Sequence, residues 1–305
     1  MELNYGIIGT GAIGGFYGGF LAKSGKEVNF LFNSDFQHVK ENGLKIDSST
    51  GNFHLKQVNA YNKSEDMPKC DVVFVCLKTT TNHILKEMLP SVMHKNSVII
   101  MIQNGLGIEK KLAKEFPDTS IAGGLAFVAS SKIDKGHIAH YDYGSLTLGF
   151  YQKANDEVLN QVSIDLNNAG IECNCVEDLN LARWKKLLWN IPFNGVCVVL
   201  NAKTKELVSN EESRKLVSDL MYEVVEAANH CGAPLKTDAI DEMIDSTFKM
   251  KPYAPSMKLD FDFKRPMEIE AIYSNPVQEA KEAGYDMKVT STIEKQLYFI
   301  QETYK

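Results

Sequence analysis

Gly9-Thr10-Gly11-Ala12-Ile13-Gly14 follows a short apolar run at the start of the chain. In this G-x-G-x-x-G pattern each glycine answers a different steric demand. The first permits a tight turn from strand to helix. The second lets the backbone approach a pyrophosphate, and the third lets the helix pack close on the sheet. The helix that follows offers N–H groups and the positive end of its dipole to phosphates. The pattern alone is weak, but its context narrows it. Tyr5–Ile8 reads as a strand, Ala12–Lys23 as a helix and Glu27–Phe32 as a second strand. Such a start points to an α/β fold with a dinucleotide site. The alternative is a glycine-rich turn in some other α/β fold.

The chain has 305 residues, enough for one large or two ordinary domains. Hydrophobic residues make up 44% and charged residues 24%, so a sizeable core can form. A net charge of −6, with no basic run, argues against a nucleic-acid partner. No apolar run is long enough to span a bilayer, and the opening strand does not read as a signal peptide. A cytoplasmic location is the default expectation. The six cysteines then read as reduced thiols. Cys173-x-Cys175 has neither the spacing nor the histidines of a zinc site, so no metal is expected.

Strand and helix signals alternate through the first half. Asp71–Leu77 and Ser97–Ile102 are short apolar runs rich in β-branched residues, as strands buried on both faces read. Ser120–Val128 is a further candidate, and Thr81–Met93 is helix-compatible. Gly136–Phe150 reads as two short strands around a turn, an antiparallel edge. Beyond residue 178 the pattern turns helical. Glu211–Asn229 carries an apolar stripe at period 3.6, with Asn210 as N-cap and Gly232 as terminator. Glu268–Ala283 and Ser291–Tyr304 also read as helices, with Pro276 kinking or delimiting the first. The expected organisation is a Rossmann-like doubly wound sheet over residues 1–178 and an all-helical domain over 179–305.

Three clusters carry chemistry. Lys78 sits at the C-terminal end of a buried strand, where open α/β sheets bind ligands, although a solvated lysine is as good a reading. Gln103-Asn104-Gly105-Leu106-Gly107 follows the next strand, and Asn104 can donate and accept. An ordinary Asn-Gly turn is the alternative. In the third, Lys186, Asn190 and Asn194 recur every four residues among Trp184, Leu187, Leu188, Trp189, Ile191 and Phe193. On a helix they share one face. Polar groups in such a setting are costly unless they meet polar partners. Pro192 complicates a continuous helix there, since it removes one backbone donor. Glu268 and Glu270 are acidic candidates that spacing cannot bring near Lys186.

Taken together, these residues resemble the ketopantoate reductase family. The resemblance rests on Gly9-x-Gly11-x-x-Gly14-Gly15, Leu77-Lys78 and Gln103-Asn104-Gly105-Leu106-Gly107. It continues in Trp184-Lys185-Lys186-Leu187 with Asn190 and Asn194, then in Pro255-Ser256-Met257 and Glu268-Ile269-Glu270. It implies a Rossmann domain, a helical domain, and reduction of the keto group of 2-dehydropantoate by NADPH. By position it implies that Lys186 is the catalytic lysine and Glu268 an active-site carboxylate. Asn190, Asn194 and Ser256 would bind substrate, and Asn104 would bridge cofactor and substrate. Gly9, Thr10, Gly11, Ala12, Ile13, Gly14, Asn33, Lys78 and Val128 would contact the cofactor. The partner would be a small keto acid, and a homodimer is the assembly considered.

Two positions depart from the family pattern. Phe32-Asn33-Ser34-Asp35 stands where the family often places an arginine for the 2′-phosphate of NADPH, with Asp35 two residues past Asn33. NADP(H) and NAD(H) therefore both stay open. Thr204 replaces an asparagine found in some members. A reductase of another keto acid, a β-hydroxyacid dehydrogenase and a non-catalytic NAD(P)-binding regulator are the alternative functions.

Overall fold

A computed structural model describes residues 2–250 and 254–304. Two compact units emerge: Met1–Gln103 with Ile108–Leu179, and Asn104–Gly107 with Asn180–Lys305. The second unit thus takes four residues from within the first half of the sequence, which no single cut describes.

The first unit is built on one sheet. Its strands are β1 (Asn4–Ile8), β2 (Glu27–Leu31), β3 (Leu44–Ser48), β4 (Phe53–Leu55), β5 (Asn59–Tyr61), β6 (Cys70–Val75), β7 (Met93–Met101), β8 (Ser120–Asp134), β9 (His137–Gln152) and β10 (Cys173–Cys175). Their order is β4-β3-β9-β8-β7-β6-β1-β2-β5, with β10 added beside β9. The run from β8 through β7, β6, β1 and β2 to β5 is parallel. Its centre is apolar on both faces: Val72–Val75 and Val98–Met101 are wholly buried. That is why these segments read as continuous β-branched runs. Around the sheet lie α1 (Ala12–Lys23), α2 (Phe36–Asn42), α3 (Leu85–Val92), α4 (Ile108–Glu115) and α5 (Asp156–Asn168). Helical geometry over Thr81–Met93 is divided: a 3₁₀ segment, Thr79–Ile84, precedes α3.

The region 136–150 corrects the sequence reading. It is not two short strands at an edge. It is the single strand β9, paired antiparallel with β8 on one side and parallel with β3 on the other. The turn signal at Asp142-Tyr143-Gly144 is a register irregularity in the ladder, with Tyr143 at φ 63°. A bulge uses the same residue types as a turn, so sequence alone does not separate them.

The second unit is helical: α6 (Leu179–Val199), α7 (Thr204–Ser209), α8 (Glu211–His230), α9 (Asp238–Lys249), α10 (Ser256–Asp262), α11 (Asn275–Glu282) and α12 (Lys288–Glu302), with a π-helical turn at Glu270–Ser274. Asn210 caps α8 by accepting from the Glu212 and Ser213 N–H groups at 3.1 Å. The Glu223 carboxylate on α8 receives the Val289 and Thr290 N–H groups at 2.8 Å, capping the start of α12 from another helix. The complication expected at Pro192 does not interrupt α6, which runs through it. Trp184, Leu187, Leu188, Ile191, Phe193 and Val196 are all buried, so tertiary packing outweighs the one missing donor. Among the described residues no helix is long and apolar enough to cross a membrane.

Candidate active site

In the first unit, the glycine turn shows what each glycine is for. Gly9 has φ +95°, and a Cβ there would lie 2.6 Å from the Leu77 backbone nitrogen. A Cβ at Gly14 would collide with the Gly9 carbonyl oxygen. Both glycines are demanded by the protein itself. Gly11 is different. Its φ of −93° suits any residue, and a Cβ there meets nothing within 4 Å among the described residues. The open space beside Gly11 fits an absent group that approaches the backbone, as a pyrophosphate does. Gly11, the N-cap of α1, makes no side-chain cap, so the N–H groups that begin α1 and the positive end of its dipole suit an anion there. Thr10 Oγ1 donates to the Leu31 carbonyl at 2.9 Å and ties the turn to the end of β2.

The other expected cofactor residues also belong to the first unit. Asn33 is exposed just beyond β2, Lys78 is exposed beyond β6, and Val128 is half-buried on β8. Lys78 owes its place to a pair the sequence reading did not single out. Gln103 Nε2 donates to the Leu77 carbonyl and to Asn82 Oδ1, both at 2.7 Å. Asn82 Nδ2 returns a bond to Gln103 Oε1 at 3.0 Å. Asp35 is committed inside the protein. Its carboxylate receives Lys132 Nζ on both oxygens at 2.8 Å, the Gly136 N–H at 3.1 Å and the Ser34 hydroxyl at 3.0 Å. Burial would raise its pKa, but these donors outweigh that and hold it below the ordinary carboxylate value.

The expected catalytic and substrate residues all lie in the second unit. Lys186, Asn190 and Asn194 project from successive turns of α6. Lys186 is half-buried. Desolvation, aided by the Arg183 guanidinium one turn earlier, brings its ammonium from 10.5 down to about 7. Arg183 is itself only 2% exposed. Sequence reasoning missed it, although its i, i+3 relation to Lys186 placed both on one face. Asn190 is buried, and its Nδ2 has no hydrogen-bond acceptor among the described residues. A buried amide donor left this way is costly unless something else accepts from it. Asn194 Oδ1 accepts the Met257 N–H at 3.2 Å, which sets Ser256 at the head of α10.

Glu268 is buried, and its backbone carbonyl accepts the Ile272 N–H at 3.2 Å where the π-helical turn begins. That turn seats the segment holding Asn104. The Leu106 N–H donates to the Ala271 carbonyl at 2.8 Å, and Asn275 Nδ2 donates to the Leu106 carbonyl at 2.7 Å. Gly105, at φ +100°, comes so close that a Cβ would strike the Ala271 carbonyl. The π turn is also fixed to α6, because the Tyr273 hydroxyl donates to the Ile191 carbonyl at 2.6 Å. Thr204 is buried at the start of α7, and Trp189 Nε1 donates to Thr247 Oγ1 at 3.2 Å.

Chemically, the second unit gathers an easily deprotonated ammonium, a buried carboxylate and neutral amides. The first offers a backbone cradle for an anion. Family models match both halves. One, described as ketopantoate reductase PanE/ApbA, covers residues 5–153, and one described as its C-terminal part covers 178–301. A 2-dehydropantoate 2-reductase of Nostoc sp. (strain PCC 7120) is 46% identical over 304 residues, 98% of this chain and 95% of that protein. The crystal structure of 2-dehydropantoate 2-reductase from Geobacter metallireducens GS-15 has TM-score 0.94 and 34% identity, covering 99% of this chain and 100% of that one. The enzyme of the same name from Methylococcus capsulatus has TM-score 0.92 and 32% identity, covering 99% and 98%.

Proposed function

The chain belongs to the ketopantoate reductase family, and from that premise we propose that it reduces the 2-keto group of 2-dehydropantoate to the hydroxyl of pantoate with NADPH. The observation that carries the site assignment is the α6 ladder. Lys186 is a lysine whose burial makes it a ready proton donor, and one turn on Asn190 holds a buried amide donor with no acceptor among the described residues. A keto acid supplies the acceptor that the Asn190 amide lacks among the described residues.

Gly9–Gly14, Lys78 and Val128 would hold the dinucleotide, with the pyrophosphate in the space beside Gly11. When bound, the reduced nicotinamide supplies the hydride. This chain's residues do the rest. The Lys186 ammonium stabilises the negative charge that develops on the carbonyl oxygen and donates its proton there. Glu268 would hold the substrate hydroxyl. Asn190, Asn194 and Ser256 orient the keto acid through neutral hydrogen bonds, and Asn104 holds the substrate toward the cofactor. NADPH is the reductant we propose because Asp35 has no acceptor position left for the 2′-hydroxyl of NADH. A carboxylate offers about four such positions, and four bonds occupy them.

The test is the loss of reduced-nicotinamide absorbance when purified protein meets 2-dehydropantoate with NADPH or with NADH. Turnover with neither would sink the proposal. Lys186→Ala should cut turnover by about a hundred- to ten-thousand-fold while cofactor affinity holds. A fully active variant would refute the role given to Lys186.

A further inference from the structure

The loop after β2 is where a dinucleotide fold reads the adenosine ribose. In this chain Asn33 brings no charge there. A charge arrives instead on β8, from Lys132, 97 residues beyond Asp35. β8 pairs with β7 through Gly123 and then continues beyond that ladder. Ser130 Oγ donates to the Ala12 carbonyl at the start of α1, at 3.5 Å. Two residues on, and so on the same face of the strand, Lys132 reaches Asp35. One ribbon therefore touches first the phosphate turn and then the ribose loop.

We propose that Lys132 reads the 2′-phosphate of the cofactor, and that the Lys132–Asp35 pair is the element that selects NADPH over NADH. This rests on the nicotinamide-dinucleotide reading above. The geometry supports it in two ways. An ammonium has three protons, and the two Asp35 oxygens take two. The third is left on a side chain that is 36% exposed, while its carboxylate partner is almost wholly buried. The negative charge thus lies inside, matched by the Gly136 N–H and the Ser34 hydroxyl, and the positive charge lies outside.

The test uses the full chain and reads binding. Dissociation constants are measured for adenosine 2′,5′-bisphosphate, adenosine 5′-monophosphate, NADPH and NADH. Lys132→Gln should weaken binding of the two 2′-phosphorylated ligands by about ten- to a hundred-fold, the span of a charged hydrogen bond, and leave the others within about two-fold. Lys132→Arg keeps the charge and should keep the preference. Asp35→Asn should strengthen it, because the ammonium is no longer neutralised. Opposite signs at Lys132 and Asp35 are what a merely structural pair would not produce. Equal weakening of all four ligands by Lys132→Gln, a preference unchanged in that variant, or a preference lowered by Asp35→Asn would each overturn the inference. A wild-type chain that binds both ligand classes alike, yet reduces 2-dehydropantoate with NADH, would remove NADPH from the proposed function and this role with it. A wild-type chain that prefers 2′-phosphate while Lys132→Gln does too would overturn the role of Lys132 alone.

Discussion

Asn194 accepts the Met257 N–H at 3.2 Å across 63 residues of chain. Met257 lies in the first turn of α10, where an N–H has no partner within its own helix. Asn194 therefore caps a neighbouring helix from α6, and the position of Ser256 depends on it. Asn194→Ala should lower the free energy of unfolding by about 1–3 kcal/mol, the cost of a buried donor left unmet. It should also raise KM for the keto acid more than it lowers kcat. Denaturant unfolding and steady-state kinetics check both. A variant of wild-type stability would show that the cap contributes nothing.

Gly11 and Gly14 share one motif but should fail differently. Alanine at Gly11 enters open space at an ordinary φ, so stability should change by less than about 0.5 kcal/mol. Dinucleotide affinity should fall by about tenfold or more, since the methyl occupies the phosphate's approach. Alanine at Gly14 meets the Gly9 carbonyl and should cost about 1–3 kcal/mol of stability. Thermal unfolding beside cofactor titration separates the two. If Gly11→Ala bound the cofactor normally, the space beside Gly11 would not be the phosphate site.

The Lys186 ammonium sets a pH dependence. Its proton leaves near pH 7, so the proton donor is present below that value and lost above it. kcat/KM should be level on the acid side and fall about tenfold per pH unit on the alkaline side. Stability follows the opposite course. Folding disfavours the charged form, so the unfolded chain holds this proton more tightly between about 7 and 10.5, and stability rises with pH across that window. Lys186→Met should abolish both slopes. A rate that stayed level to pH 9 would contradict the assigned donor.

The parts of the site that were legible in the sequence are those set by local backbone. The glycine turn, the four-residue recurrence of Lys186, Asn190 and Asn194, and the cap at Asn210 each need only neighbours along the chain. The parts that were not legible depend on pairings across long separations. Asp35 stood in the sequence only as an acid two residues past Asn33, and its bonds to Lys132 and Gly136 come from the distant β8–β9 ribbon. Asn104–Gly107 read as a turn following a strand of the first half, yet it belongs to the helical unit through Ala271 and Asn275. Pro192 looked like a helix breaker because propensity is blind to how much apolar surface a buried helix covers.

Gly195, beside Asn194, offers the sharpest test of how α6 is held. A Cβ there would strike the Tyr273 hydroxyl and lie 2.6 Å from Ile293 Cγ2. That hydroxyl is itself bonded to the Ile191 carbonyl. Gly195→Ala should destabilise by about 1–3 kcal/mol through crowding, and Tyr273→Phe by about 1 kcal/mol through the lost bond. The double variant should be more stable than the sum of the two predicts, by about 0.5 kcal/mol or more, because the colliding oxygen is gone. Ile293 remains, so recovery should be partial. Strict additivity in denaturant unfolding would mean that Tyr273 does not set the room available at Gly195, and the π turn would then not be what fixes that face of α6.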